Sequence, residues 1–252
     1  MYLIQEISIT EAKNFIAIHH YAKNSPPINK IAIGLFKEKI LVGVATWGFG
    51  VRPRHTIEKW FVGLTTKNYL ELNRLCILDS EPRNTESYFL SKIYTWFRNN
   101  KAEIKVLTSW ADGLRGKVGY VYQGSSWKYI GKIKSEFYLN QENEVIHPRF
   151  LITKYGSRSQ EVARNLKLSK IKGYQFFYYK PLIKDKKFKK YEKLPVLDYP
   201  KEKDIFFWRN NFDENSWQIS TKPTVVGKIN TVKEERTNNN LFEDLIKKEI
   251  MT

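Results

Sequence analysis

The stretch Glu71-Leu-Asn-Arg-Leu-Cys-Ile-Leu-Asp79, then Ser80-Glu-Pro-Arg-Asn-Thr-Glu86, then Ser87-Tyr-Phe-Leu-Ser-Lys-Ile-Tyr-Thr-Trp-Phe-Arg-Asn99 decides how the chain folds. Its first piece puts Leu70, Leu72, Cys76 and Leu78 on one side and Leu75 and Ile77 on the other. Apolar residues on both faces predict a buried central strand. Pro82 has no N–H for a ladder, so the strand ends before it. Asn84 or Thr85 can cap a following helix by accepting an N–H of its first turn. Phe89, Ile93 and Phe97 then recur at i, i+4 and i+8, which is an amphipathic helix packed on the strand. Strand, short loop and helix start together favour an anion, because free amides and the macrodipole both point at it. Many mixed folds contain this unit without an anion, and this loop has no Gly-rich signature.

Composition narrows the class. The 252 residues allow one full domain with an extension, and 42% hydrophobic residues suffice for a core. No apolar run reaches the length of a bilayer span. The first residues lack the basic and apolar regions of a signal peptide, so no membrane partner is expected. Cys76 is the single cysteine, which excludes an internal disulfide and a cysteine-based metal site and fits a reducing cytoplasm. Net charge is +17, with 28 Lys+Arg against 14 Asp+Glu in residues 1–180 and 15 against 12 in residues 181–252. The excess therefore sits in the candidate folded part rather than in a tail. A basic domain favours polyanions such as nucleic acid, although a Lys- and Asn-rich composition from an AT-rich genome gives part of the same excess.

Taken in order, residues 2–8 predict a short strand. Thr10 can cap a helix whose apolar side is Phe15, Ile16 and Ile18, and which ends in His19-His20-Tyr21 before Pro26 and Pro27. A histidine pair and a tyrosine at a helix end can project into a cleft, or lie on the surface. Residues 31–37 and 40–49 form a hairpin about Glu38-Lys39. Gly48, Gly50 and Arg52-Pro-Arg-His55 read as a basic loop. Residues 104–110 are a further strand, with Asp112 beyond its C-terminal end, where sites in open α/β sheets gather. A loop or helix-cap aspartate would occupy the same place. The aromatic, Gly and Ser mix of residues 120–131 suits a lined pocket or base stacking, and equally an ordinary turn. Strands at 135–140 and 173–181 flank a helical candidate at 157–168. Residues 184–193, with six lysines, read as a solvated linker, 194–234 as an extended segment with aromatic islands, and 241–251 as a last helix.

The fold class expected is α+β: a mixed central sheet flanked by helices, in the element order of the acetyltransferase-type (GNAT) fold, as a domain over residues 1–182 with an extension over 183–252. In that fold the loop and helix after the central strand cradle the pyrophosphate of an acyl-coenzyme A. Residues 80–90 depart from that motif in lacking its two glycines. More specific is a set of motifs in one order: His20-Tyr21, Asn73-Arg74-Leu75, Ser87-Tyr-Phe-Leu90, Ser109-Trp-Ala-Asp112, Gly119-Tyr-Val-Tyr-Gln123 and Trp127-Lys-Tyr-Ile-Gly131. Together they resemble the Mom family of phage DNA-modification proteins, over about residues 12–182.

The resemblance implies a GNAT-like enzyme that modifies adenine in double-stranded DNA to N6-carbamoylmethyl adenine, shielding phage DNA from restriction enzymes in the cytoplasm of an infected host. Adenine N6 is a poor nucleophile, so the reaction needs a proton acceptor, stabilised charge on the donor and an unstacked base. Asp112 and His20 are the candidates for proton transfer. Arg74 would hold an anionic group or pair with Asp112, and Tyr21 and Tyr122 would stack on the base or donate O–H. Trp110 and Trp127 are candidate supports for the base, and Asn84, Thr85 and Ser87 candidates for holding a donor. The donor itself is open, acyl-CoA-like or another. His20 and Asp112, with a tyrosine, are also ligands of a kind that suits iron. Two rivals remain: a GNAT-type N-acyltransferase for a protein or small amine, and a DNA-binding module without catalysis.

Overall fold

Ser8 separates the first two elements. Its Oγ accepts the Glu11 N–H at 3.1 Å, so β1 (Tyr2–Ile7) passes directly into α1 (Ile9–His19). Ser8, rather than the expected Thr10, is the cap, and such a cap is worth about 1 kcal/mol. The computed structural model describes residues 1–20, 28–50, 52–211 and 218–220. Tyr21 and the helix expected over 241–251 lie outside the described residues.

α1 lays Ala12, Phe15 and Ile16 against Ile7, Ala32, Val44 and Cys76. Ala32 belongs to β2 (Asn29–Lys37) and Val44 to β3 (Ile40–Gly48). These two strands form the expected hairpin, and its turn residues Glu38 and Lys39 both have positive φ, 52° and 71°. That sign pattern is the one whose twist matches paired strands. The segment expected as a basic loop instead forms α2 (Pro53–Trp60). Pro53 occupies its first turn, where a missing N–H costs nothing, and Ile57 and Trp60 are buried.

The central strand is β4 (Tyr69–Ile77), followed by α3 (Thr85–Asn100), β5 (Val106–Asp112), a 3-10 turn at Gly113–Arg115 and α4 (Tyr120–Gly124). Then come β6 (Lys128–Leu139), β7 (Val145–Ile146), α5 (Pro148–Tyr155), α6 (Gln160–Asn165) and β8 (Ser169–Pro181). The helix expected at 157–168 is the shorter α6, and α5, just before it, is an element the sequence reading did not contain. α7 (Asp185–Phe188), β9 (Phe207–Asn211) and β10 (Gln218–Ser220) complete the described chain. The strand order is β1-β2-β3-β4-β5-β8-β6-β7, with β9 on β8 and β10 on β9. Among the described strands only β4 and β5 pair in parallel. This is the α+β architecture with helices on a mixed sheet that the sequence predicts.

Neighbouring residues of β5 show that both faces of the sheet are covered. Leu107 joins Trp47, Leu70, Phe89, Ile93 and Phe97 under α3. Val106 joins Ile57, Trp60, Tyr69, Phe177 and Tyr179 under α2. The charged run expected to be a solvated linker is docked on that second cluster: Phe188 is 0% exposed among Phe61, Tyr179 and Tyr191.

Candidate functional site

β4 and β5 pair through only three positions, Tyr69–Val106, Leu70–Leu107 and Glu71–Thr108. Beyond them β4 follows β3 to Ile77, while β5 follows β8 to Asp112. Two parallel strands that part in mid-sheet leave a gap at their carboxyl ends, the region where open α/β sheets hold ligands. A cavity of 780 Å³ fills the gap, walled by residues 71–77 of β4 and by Ser109, Trp110 and Asp112 of β5.

Four of the sequence-predicted residues meet there: His20, Arg74, Asp112 and Tyr122 all line this cavity. His20 arrives as the C-cap of α1, where its backbone N–H donates to Ile16 O at 2.9 Å. Arg74 reaches in from β4, its Nη1 donating to Asn73 O at 2.7 Å. Asn73 is itself tied to the β2 end, Nδ2 donating to Asn29 Oδ1 at 2.7 Å and Ile28 O at 3.1 Å. Tyr122 comes from α4, with 2.8 Å between its hydroxyl and Ser109 Oγ. Its ring packs on Trp127 and Tyr178, both at 5.2 Å.

Asp112 ends β5 and caps the 3-10 turn, Oδ1 accepting the Leu114 N–H at 3.1 Å. Arg115 Nε lies 3.5 Å from its Oδ2. Burial nevertheless outweighs the Arg115 charge and the Leu114 N–H, and holds the carboxyl above the ordinary aspartate value. An acid in that state is suited to exchanging a proton.

One wall residue escaped the sequence reading. Glu71 lines the cavity, accepts the Trp110 Nε1–H at 3.1 Å and abuts Gly50, where an added Cβ would come within 2.6 Å of its carboxylate. Burial pushes its carboxyl up to about 7, with the Trp110 bond pulling the other way. Trp110 is thus held edge-on by Glu71 while its ring packs on Phe177 at 4.4 Å. Trp127 is 0% exposed and donates to the Tyr94 hydroxyl, so it backs Tyr122 from the core and offers no face to a base. Cys76, also on the wall, is buried, and its thiol is pushed up to about 11, which leaves it an inert thiol.

The three residues expected to hold a donor lie at the start of α3, off this wall. Asn84 takes a left-handed conformation, φ 71°, and makes no side-chain cap. Thr85 is buried and donates to Pro82 O at 2.6 Å, and the Ser87 hydroxyl lies against Gly124. It is Glu86 of this first turn that lines the cavity. Glu86 is exposed, and it brings a carboxylate, not a cation, to the cavity end of this helix start. Among the described residues no three His, Cys, Asp or Glu side chains gather as a metal site.

Comparisons with known proteins bear on the family of the chain. A family model described as the Mom protein family matches residues 1–201. The methylcarbamoylase Mom of Escherichia phage Mu is 31% identical over 135 residues, 54% of this chain and 56% of that protein. The match thus spans little more than half of the curated relative. Among solved structures, an acetyltransferase of the GNAT family from Streptococcus pneumoniae is 10% identical, with a TM-score of 0.40, over 72% of this chain and 99% of that one. The ribosomal-protein-S18-alanine N-acetyltransferase of Escherichia coli is 8% identical, with a TM-score of 0.42, over 73% and 96%.

Proposed function

The chain belongs to the Mom protein family, and from that premise we propose that it is a DNA-modifying transferase. Its substrate is adenine in double-stranded DNA, and it adds a carbamoylmethyl-type group at N6. The observation that carries this reading is the convergence of His20, Arg74, Asp112 and Tyr122, dispersed over the sequence, on one cavity between parting strands. The name of the Mu relative, a methylcarbamoylase, supplies the class of group transferred.

The chain's own residues divide the work by chemistry. A base extruded from the duplex enters the cavity, at a cost of a few kcal/mol of unstacking. Tyr122, braced by Ser109, offers its ring or hydroxyl to that base. As N6 bonds to the donor carbon, that carbon's bond to its leaving group breaks and one N6 proton must leave, and Asp112, Glu71 and His20 are the acceptors within the cavity. Arg74 and Lys117 supply positive charge for an anionic donor or leaving group. No step here is routed through coenzyme A. The protein acts inside the phage-infected cell, in the cytoplasm where the DNA is.

The test is nucleoside mass spectrometry of DNA from cells expressing the chain, beside His20→Ala and Asp112→Asn variants. A modified deoxyadenosine is expected with the parent chain and a loss of about 100-fold or more with either variant. DNA that carries no altered adenine would overturn the reading. Acetylation of a protein or small amine by the same preparation would favour the acyltransferase rival.

A further inference from the structure

A second cavity, of 1150 Å³, lies beside the first and is not used by the chemistry above. Its cations are Arg52, Lys134, Arg149, Arg158 and Lys172. Glu136 is the carboxylate on its wall, and it is already engaged by Arg158 Nη1 at 3.0 Å and Lys170 Nζ at 3.2 Å. His147 adds no charge at neutral pH: burial and the neighbouring Arg149 hold its imidazole below the usual value, and Nδ1 accepts the Arg149 N–H at 3.1 Å. Two aromatic side chains complete the wall, Tyr174 and Trp208, with ring centroids 5.8 Å apart. Lys132 Nζ stands 4.2 Å from the Tyr174 ring. Cations interleaved with half-buried rings are the recognition chemistry of a nucleic-acid strand, phosphates on the one and bases on the other. An acidic peptide would use the charges and leave the rings idle.

The groove approaches the first cavity at two points. Gly173 and Tyr174 of β8 line the groove, and the next residue, Gln175, lines the first cavity and pairs with Asp112. Arg52 lines the groove two residues after Gly50, which abuts Glu71. A nucleotide extruded into the first cavity keeps its two phosphates, so its strand must run over the adjoining surface.

We propose that this groove is the track for the DNA strand that flanks the target adenine. The proposal rests on the DNA-modifying reading and adds the place where the substrate backbone is held. The test is anisotropy of labelled duplex DNA, and of labelled RNA of the same sequence, with the full chain across about 50–200 mM salt. Lys134→Glu combined with Arg149→Glu, both exposed side chains, should weaken duplex binding about ten-fold or more and lower the salt slope by about 2. Trp208→Ala, which changes no charge, should weaken binding at an unchanged slope. Duplex affinity and slope unaltered in the charge-reversed variant, at a matched unfolding midpoint, would overturn the track. So would a loss confined to RNA. Duplex binding that falls as expected, from a chain that alters no adenine in cells, would support the track and overturn the modification itself.

Discussion

Two carboxyl groups in the first cavity are held protonatable by their surroundings, and Glu71 is the one whose pH consequence is sharpest. Burial raises it from 4.5 to about 7. A carboxyl raised on folding favours the folded state fully below its unfolded value, and that contribution is lost as the pH climbs through the folded one. Urea unfolding of the parent should therefore show stability falling between pH 4.5 and about 7, by at most about 3 kcal/mol for this group. Glu71→Gln should lack that fall and be the more stable protein at about pH 8. The same titration governs the chemistry if Glu71 takes the N6 proton: the parent's modification rate should rise through about pH 7, and the Gln variant should lose about 100-fold or more. A parent rate flat across that range would remove Glu71 from the proton path. Asp112 was legible in the sequence because a strand end is a local pattern. Glu71 was not, because Gly50 and Trp110, which desolvate and hold it, are far away in the chain and meet it only where the end of β3 and β5 flank β4.

Among the elements, the legible ones were those whose apolar spacing is read within a dozen residues: the hairpin of β2 and β3, the central β4, and α3 with Phe89, Ile93 and Phe97 all 0% exposed. The elements missed or misjudged owe their form to tertiary packing. α2 starts from an Arg-Pro-Arg-His run with nothing apolar before Ile57, and it becomes a helix by laying Trp60 flat on Phe177 at 4.7 Å. α7 is a four-residue turn amid lysines, and one ring anchors it. Phe188→Ala should accordingly cost about 3–5 kcal/mol in chemical unfolding, as large buried aromatics do. Lys187→Ala, one residue away and exposed, should stay within about 0.5 kcal/mol. Equal effects of the two changes would return this segment to the solvated linker that its charge suggests.

At the scale of the molecule, the question is where the folded unit ends. A boundary after residue 182 follows from the change in composition there, from β-prone to lysine-rich. The packing runs further. Ile205 and Phe207 enter the main core, β9 pairs with β8 over residues 169–172, the Tyr199 hydroxyl donates to Trp127 O at 2.7 Å, and Lys128 reaches Glu192 Oε1 at 3.0 Å. Composition hides this because the apolar residues come in short islands between charged runs, so no periodicity links them. Phe188, Ile205 and Phe207 are nevertheless buried, and each is worth about 1.5–3 kcal/mol in apolar surface alone. Removing Phe188, Ile205 and Phe207 together takes away an amount comparable with the whole net stability of a domain, about 5–15 kcal/mol. β8 would lose its β9 partner, and Trp208 would leave the basic groove. A chain stopped after residue 182 should therefore show no cooperative melting transition by circular dichroism and no salt-dependent duplex binding. A truncated chain that melts cooperatively at the full-length midpoint would mean that residues 183–211 merely rest on a domain already complete without them.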